Sequence, residues 1–312
     1  MELRQLRYFV KITDMGSMSR ASRALHISQP SLSHQIAQLE AELGKPLLIR
    51  IPSGVSVTVE GAAFYREAVQ VLRHIDRLPE VVNRTQSGLA GRVSITMVHT
   101  QALQYALPLI LKLRETFPGV ELEVFDNTST DALQGLASAR RELGMLINEQ
   151  HAGLVDSEAI LEEELFLVSH PDQAPAEDTI TREELLKLPL ALPSAAEVHD
   201  NPVVDALMAG GGTLRPIIAN SVGIFRQAVL GGIAHALLPW GVLRDDVLQG
   251  RIKATAVHPA LVRKVFLSTA RDATLSEAAR AVRQVLLSVI HEQVVLGNVR
   301  ARSLIQPQSE QH

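Results

Sequence analysis

The 312-residue chain contains no cysteine. Disulfides, thiolate metal sites and cysteine nucleophiles are therefore excluded, and the composition fits a reducing, cytoplasmic setting. Aromatic residues amount to 4%, with a single tryptophan, so any core must be built mainly from aliphatic side chains. No apolar run approaches the roughly 18 residues that suggest a membrane-spanning helix. The opening "MELRQLRYFVKITD" is charged from its second residue and has no secretory h-region. Catalytic signatures are missing too. There is no G-x-S-x-G, no H-E-x-x-H and no phosphate-cradling glycine loop, since "AGGGT" at 209–213 lacks the lysine. Eleven histidines are scattered without metal-ligand spacing. The expectation is a protein with no cofactor, metal or membrane partner, and not an enzyme. The alternative kept beside it is an enzyme acting on a small organic acid in an α/β cleft, with a fused helix-turn-helix head.

What is present is enough for real cores: 46% of residues are hydrophobic and 21% charged. The length suits two or three domains. The net charge of −4 speaks against nucleic acid when taken alone, but the charge is unevenly placed. Residues 1–66 hold eight cations against five anions, so the head is +3 and the remainder −7.

Along the chain, Leu3, Leu6, Phe9, Val10 and Thr13 predict a first amphipathic helix ending at Gly16. Ser17 or Ser19 can cap a second, with Ala21, Ala24 and Leu25 facing in. Pro30 falls in the first turn of a third, where proline is tolerated, and Leu32, Ile36, Leu39 and Leu43 form its buried stripe. Leu47–Ile49 and Val55–Val57 flank the turn "PSG", which predicts a wing. From Thr58 a helical pattern runs to about Ser87, with Pro79 expected to kink or loosen it. Its stripe of Tyr65, Ala68, Leu72, Ile75 and Val82 is narrow, which favours a coiled-coil seam with a second chain over packing on its own body. "SGLAGR" (87–92) then reads as a hinge. Beyond it strands and helices alternate, which predicts a parallel sheet with right-handed crossovers. The elements are "VSITMV", a helix through "LQYALPLILKLRETFP", "VELEVFD", a helix in "TDALQGLASARRE", "LGMLINE", "ELFLVSH", "LPLALPS", a helix near 201–209, "RPIIAN", a helix at 222–230, "HALLPW", "KVFLSTA" and a long last helix.

The third helix opens on "SQPSLSH", far more short polar groups than one cap needs. A helix-turn-helix presents the start of its second helix to base edges in the major groove. There Gln29 can bond adenine N6 and N7 together, and Ser31 and Ser33 can reach bases or phosphates. A cap followed by a serine-rich solvent face explains the same residues without DNA. The succession of three helices, wing and long helix favours the reading surface.

The stretch "LRQLRYFVKITDMGSMSRASRALHISQPSLSHQIAQLEAELGKPLLIR" resembles the DNA-binding head of the LysR-type transcriptional regulators, and "TVEG" is similar to the threonine–x–x–glycine that opens that family's linker helix. The specific part covers about residues 1–66. The remainder agrees in length and element order with weak motifs such as "GGIAHALLP". The resemblance implies an α/β protein with an N-terminal winged helix-turn-helix (1–58), a linker helix and hinge (59–91) that makes dimers, and a two-lobed periplasmic-binding-protein-like effector domain. Lobe I is expected at 92–161 plus 267–296, lobe II at 162–266, and a disordered tail at 297–312. It further implies a cytoplasmic homotetramer on double-stranded promoter DNA, with RNA polymerase as a further candidate partner. By the same resemblance Gln29, Pro30, Ser33 and His34 face the groove, and Arg50, Ser53 and Thr58 lie near phosphates. His34 departs from the arginine of many members, and a neutral histidine contacts base or phosphate more weakly.

Ligands of open α/β sheets sit beyond the carboxyl ends of strands. Polar junctions there offer His99, Thr100 and Gln101, then Asn127, Thr128 and Ser129, then Ser194, His199 and Asn201, and Ser221. Hydroxyls at helix N-termini favour an organic-acid effector, held by a carboxylate between the lobes. No lysine or arginine lies at these junctions, which argues against a multiply charged phosphate. Each of these residues singly serves equally well as a cap or turn, and His99 and His199 as ordinary loop histidines.

Overall fold

A computed structural model describes residues 1–83, 88–147, 153–193, 216–271 and 273–305, with the backbone alone at 77 and 79–83. These form two compact units that divide near residue 87.

In the first unit, helix α1 (Leu3–Met15) buries Leu6, Phe9 and Ile12 and ends at Gly16 in the left-handed conformation. Ser17 caps α2 (Met18–Ala24) by accepting the Arg20 N–H at 3.3 Å. Ala21 and Ser22 face the core there, whereas Ala24, expected inside, is exposed. Ser28 caps α3 (Gln29–Leu43), accepting the Ser31 N–H at 3.2 Å. Leu32, Ile36 and Leu39 are buried, but Leu43, one turn beyond, is 39% exposed. The hairpin β1 (Leu48–Ile51) and β2 (Gly54–Val57) forms the wing. It is fastened at its tip: the Val55 N–H donates to the Gly16 carbonyl at 2.9 Å, and a Cβ on Gly54 would stand 2.3 Å from that oxygen.

Helix α4 (Val59–Asn83) runs through Pro79 as one element. The Thr58 hydroxyl starts it, accepting the Gly61 N–H and donating to the Pro46 carbonyl, both at 2.8 Å. A Cβ on Gly61 would lie 2.0 Å from the Leu47 carbonyl oxygen, so glycine lets the helix touch the strand entry. The narrow stripe divides in two, which corrects the expectation of a single seam between chains. Tyr65 stays within its own chain: its ring meets Phe9 edge-on at 6.4 Å and its hydroxyl bonds Asp14. Ala68 is also buried, while Leu72 and Ile75 are half-buried. Val82 lies outside the described side chains.

The second unit is built on one sheet. Its strands are β3 (Ala90–Val98), β4 (Gly119–Asn127), β5 (Leu143–Ile147), β6 (Val155–Ser169), β7 (Thr179–Thr181), β8 (Leu190–Leu192), β9 (Ile217–Ile218), β10 (His235–Pro239), β11 (Lys253–Ala270) and β12 (Ala301–Ser303). Its helices are α5 (His99–Thr116), α6 (Ser129–Ala137), α7 (Arg182–Leu185), α8 (Val222–Leu230), α9 (Trp240–Leu248) and α10 (Glu277–Val295). The strand order is β4-β3-β5-β11-β6-β10-β8-β9, with β12 on β6 and β7 on β11. The flanks are parallel, as the alternation of elements predicts, but β6 and β11 run antiparallel through the middle.

Those two long strands serve both lobes. On β6 the side chains pass from one core (Ile160, Leu161) to another (Leu165, Leu167). On β11 they pass back, from Leu261 to Val265 and Leu267. The lobes therefore meet at residues 162–164 and 262–264. Two further expectations are corrected. Strand β3 begins at Ala90, inside the stretch read as hinge. The segment expected as a disordered tail pairs with β6 over Ala301–Ser303, because that edge of β6 offers free backbone groups. The helix expected near 201–209 lies outside the described residues.

Candidate functional site

In the head, helical geometry sorts the candidate residues. Leu32, Ile36 and Leu39 fix the buried side of α3. Pro30 and His34, four residues apart, lie opposite it, and Gln29 and Ser33 form a second such pair beside them. Gln29, Pro30, Ser31 and His34 are exposed and Ser33 is half-buried. The Gln29 amide is engaged: its Oε1 accepts the Ser19 hydroxyl of α2 at 2.9 Å. On the wing, Arg50 stands exposed opposite Val55, and Ser53 is exposed in the turn. Thr58 differs from these, since its hydroxyl is already both donor and acceptor within the head.

In the second unit, His99, Thr100 and Gln101 prove to be the first turn of α5 rather than a loop, and Val98 before them supplies no side-chain cap. The N–H groups of that turn thus remain an anion-favouring helix end. Thr100 and Gln101 are buried. They join a cluster centred on Glu163, which is fully buried on β6. Its carboxylate accepts from Gln101 Nε2 at 2.9 Å, Gln104 Nε2 at 3.1 Å and Arg263 Nε at 2.9 Å. Arg263, directly opposite on β11, also donates to the Thr100 hydroxyl at 2.7 Å. A hydroxyl that accepts from a guanidinium keeps its own proton, so Thr100 can still donate to a ligand. Gly241 of α9 closes the cluster, for a Cβ there would stand 2.2 Å from Gln104 Oε1.

The other candidates have mixed fates. His99 Nδ1 lies 2.5 Å from Asp126 Oδ1 at the end of β4. Asn127 donates to Thr96 at 3.0 Å, which leaves its carbonyl oxygen. Thr128 accepts the Asp131 N–H at 3.2 Å and donates to the Asp131 carboxylate at 3.0 Å, so it caps α6 and its proton is taken. Ser129 is the first residue of α6. Ser221 precedes α8 and makes no cap hydrogen bond. Ser194, His199 and Asn201 lie outside the described residues.

Sequence reasoning missed Gln104, Glu163 and Arg263, and with Arg263 a cation that reaches Thr100. The signal was available. Leu161, Glu163, Leu165 and Leu167 share one strand face, as do Leu261, Arg263, Val265 and Leu267. A lone charge in each alternating apolar row marks an inward, paired ion.

Residues 3–62 match the family model of the bacterial regulatory helix-turn-helix protein, lysR family, and residues 86–290 match that of the LysR substrate binding domain. The chain is 31% identical over 300 residues to the nitrogen assimilation regulatory protein nac of Escherichia coli, covering 95% of this chain and 97% of that one. It is 27% identical over 291 residues to the HTH-type transcriptional regulator BbuR of Bordetella bronchiseptica, covering 91% and 89%. Among solved structures, full-length OxyR from Pseudomonas aeruginosa is similar at a TM-score of 0.72 and 23% identity, over 98% of this chain and 99% of that one. Full-length CbnR, solved with its target DNA, is similar at a TM-score of 0.59 and 21% identity, over 94% and 99%. At these identities the two structures speak for the fold.

Proposed function

Because the chain belongs to the LysR family of transcriptional regulators, we propose that its DNA binding is controlled by a small organic anion held by a carboxylate at the start of α5, where the two lobes meet. The family consists of DNA-binding regulators, so the enzyme alternative falls. The observation that carries the ligand reading is Thr100, buried at an uncapped helix N-terminus, whose hydroxyl accepts from Arg263 and still has its proton to donate. A carboxylate oxygen is an acceptor that matches that proton. Glu163 already neutralises Arg263, which favours a singly charged group over a phosphate. His99, Gln101, Asn127, Ser129 and Ser221 remain candidates for further contacts. Thr128 contributes at most an acceptor.

A ligand shifts a conformational equilibrium only by its differential affinity for the two states. Contacts made to both lobes at once supply that difference, since they form at one lobe angle and not at another. A thermal-shift screen with acetate, succinate and benzoate on the full chain tests the reading, because a bound ligand stabilises by mass action. A rise with wild type that Thr100→Val loses supports the site. A rise that survives the substitution moves the ligand elsewhere.

The head supplies the promoter contacts, with Gln29, Pro30, Ser31, Ser33 and His34 toward the groove and Arg50 and Ser53 toward phosphates. Two exposed apolar stripes support self-association to dimers and tetramers. On α4, Val71 and Leu78 are 43% and 60% exposed, beside the half-buried Leu72 and Ile75. On α5, Leu103, Leu107 and Leu111 recur every fourth residue at 60%, 63% and 52% exposure. Leu72→Glu and Leu107→Glu should each lower the mass seen by light scattering, and a folded variant of unchanged mass removes its stripe from the assembly. Among the described residues no helix is long and apolar enough to cross a membrane. A cytoplasmic location and contact with RNA polymerase belong to the same proposal.

A further inference from the structure

Gln29 is the first residue of α3 and Ser19 belongs to the first turn of α2, so their hydrogen bond joins the starts of the two helices. Ser19 is itself held firmly. Its carbonyl accepts the Ser22 hydroxyl at 3.1 Å and the Arg23 Nε at 3.3 Å. Ser17, two residues earlier, fastens the same turn by capping it. Both Ser19 and Gln29 are exposed. An exposed hydrogen bond adds little to folding, since water replaces it at small cost. Its effect lies in where it leaves the glutamine.

A free glutamine side chain turns about three bonds and loses that freedom when it docks. To read adenine it must offer one acceptor and one donor in a single plane, toward N6 and N7. Anchored by Ser19, Gln29 Oε1 keeps one lone pair and Nε2 keeps both protons, which is the set adenine requires. We propose that Ser19 is a positioning residue for base reading, which pre-places the Gln29 amide and thereby sharpens its discrimination without touching the base. The proposal rests on the reading of Gln29 as a base contact, and it commits Ser19 to act through that one side chain.

The test uses the full-length protein and a pool of random double-stranded DNA. Repeated selection and sequencing give the preferred site and the penalty for each wrong base. The same is done for Ser19→Ala, Ser19→Thr, Gln29→Ala and the double variant. The expected result is that Ser19→Ala lowers discrimination about three- to tenfold, from the rotamer freedom returned to Gln29. The loss should fall at the base pairs that Gln29→Ala flattens and at no others. Affinity for random DNA should hold, Ser19→Thr should restore the profile, and the double variant should match Gln29→Ala alone. A Ser19→Ala profile like wild type overturns the proposal. So does a loss at other base pairs, or additive losses in the double variant, either of which makes Ser19 a DNA contact in its own right. If Gln29→Ala itself leaves the profile intact, the base-reading role of Gln29 has failed, and the role of Ser19 falls with it.

Discussion

The head and the body hold their candidate side chains in opposite ways. In the head Pro30, Ser31, His34, Arg50 and Ser53 stand in solvent, and Gln29 is engaged by a single hydroxyl. In the body Thr100, Gln101, Gln104 and Glu163 are buried, and they bond to one another and to the partly buried Arg263. A surface meant for a large polyanion can keep its donors free, because water satisfies them until DNA arrives. Buried polar atoms need partners, and in this cluster the carboxylate, the guanidinium and both amide nitrogens have them, while the Gln101 and Gln104 amide oxygens have none among the described residues. Substitutions should therefore cost stability in the body and recognition in the head.

Arg263→Ala tests the contrast hardest. It leaves the buried Glu163 without its cation, and breaking such a pair costs about 3–5 kcal/mol. The single tryptophan, Trp240, sits in α9 of the same unit, so its fluorescence reports unfolding of the body. A large drop in that midpoint is expected. Replacing both partners together, as Glu163→Leu with Arg263→Met, should cost less than the sum of the single changes. An unchanged midpoint in Arg263→Ala makes the cluster as uncommitted as the head.

This cluster also shows where the sequence stopped being readable. The head was legible almost to the residue, because its signals are local: a cap one turn from its N–H, a glycine at a helix end, an apolar stripe within fifteen residues. The body was legible in element order only. The patterns "ELFLVSH" and "KVFLSTA" open at Glu164 and Lys264, one residue past Glu163 and Arg263, so neither charge falls within its predicted strand. Their partner is 100 residues away. Only pairing across the sheet turns two strand-breaking charges into one neutral pair. The first half of the α4 stripe packs within the chain for a reason the stripe alone does not show. A stripe shows that a helix face is covered but not by what, and Phe9 and Asp14 of the same chain cover Tyr65.

Gly61→Ala probes a place where the head is as tightly made as the body. The added methyl meets the Leu47 carbonyl, a backbone atom that cannot swing aside. Overpacking of this kind costs about 1–3 kcal/mol. Helical circular dichroism should show an earlier loss of the head, while the Trp240 midpoint holds. A silent substitution means that α4 approaches the strand less closely than described.

Arg50→Ala sharpens the other side of the contrast. As an exposed wing cation it should add nothing to stability. Affinity for preferred and random DNA should fall together, and the slope of log K against log salt should lose about 0.9 for one phosphate contact. An unchanged slope removes Arg50 from the phosphates.

The smallest effect expected is one of pH, and it too separates the units. In the head His26, His34 and His74 are all exposed. In the body His235 is 4% exposed, with its Nδ1 2.7 Å from the Ser169 hydroxyl, and burial holds its pKa below the ordinary 6.5. The folded body therefore keeps His235 neutral at a pH where the unfolded chain already takes up the proton. Its contribution is complete above about pH 6.5 and is lost as pH falls from there toward the folded value. The loss can reach at most about 1.4 kcal/mol per pH unit for one group. Urea unfolding followed at Trp240 between pH 7.5 and 5 should show that decline. His235→Gln, which can still bond Ser169 but cannot titrate, should be less stable at pH 7.5 yet flatter across the range. If the variant declines as steeply as wild type, the sensitivity belongs to other groups, and the buried histidine does not set the body apart from the head.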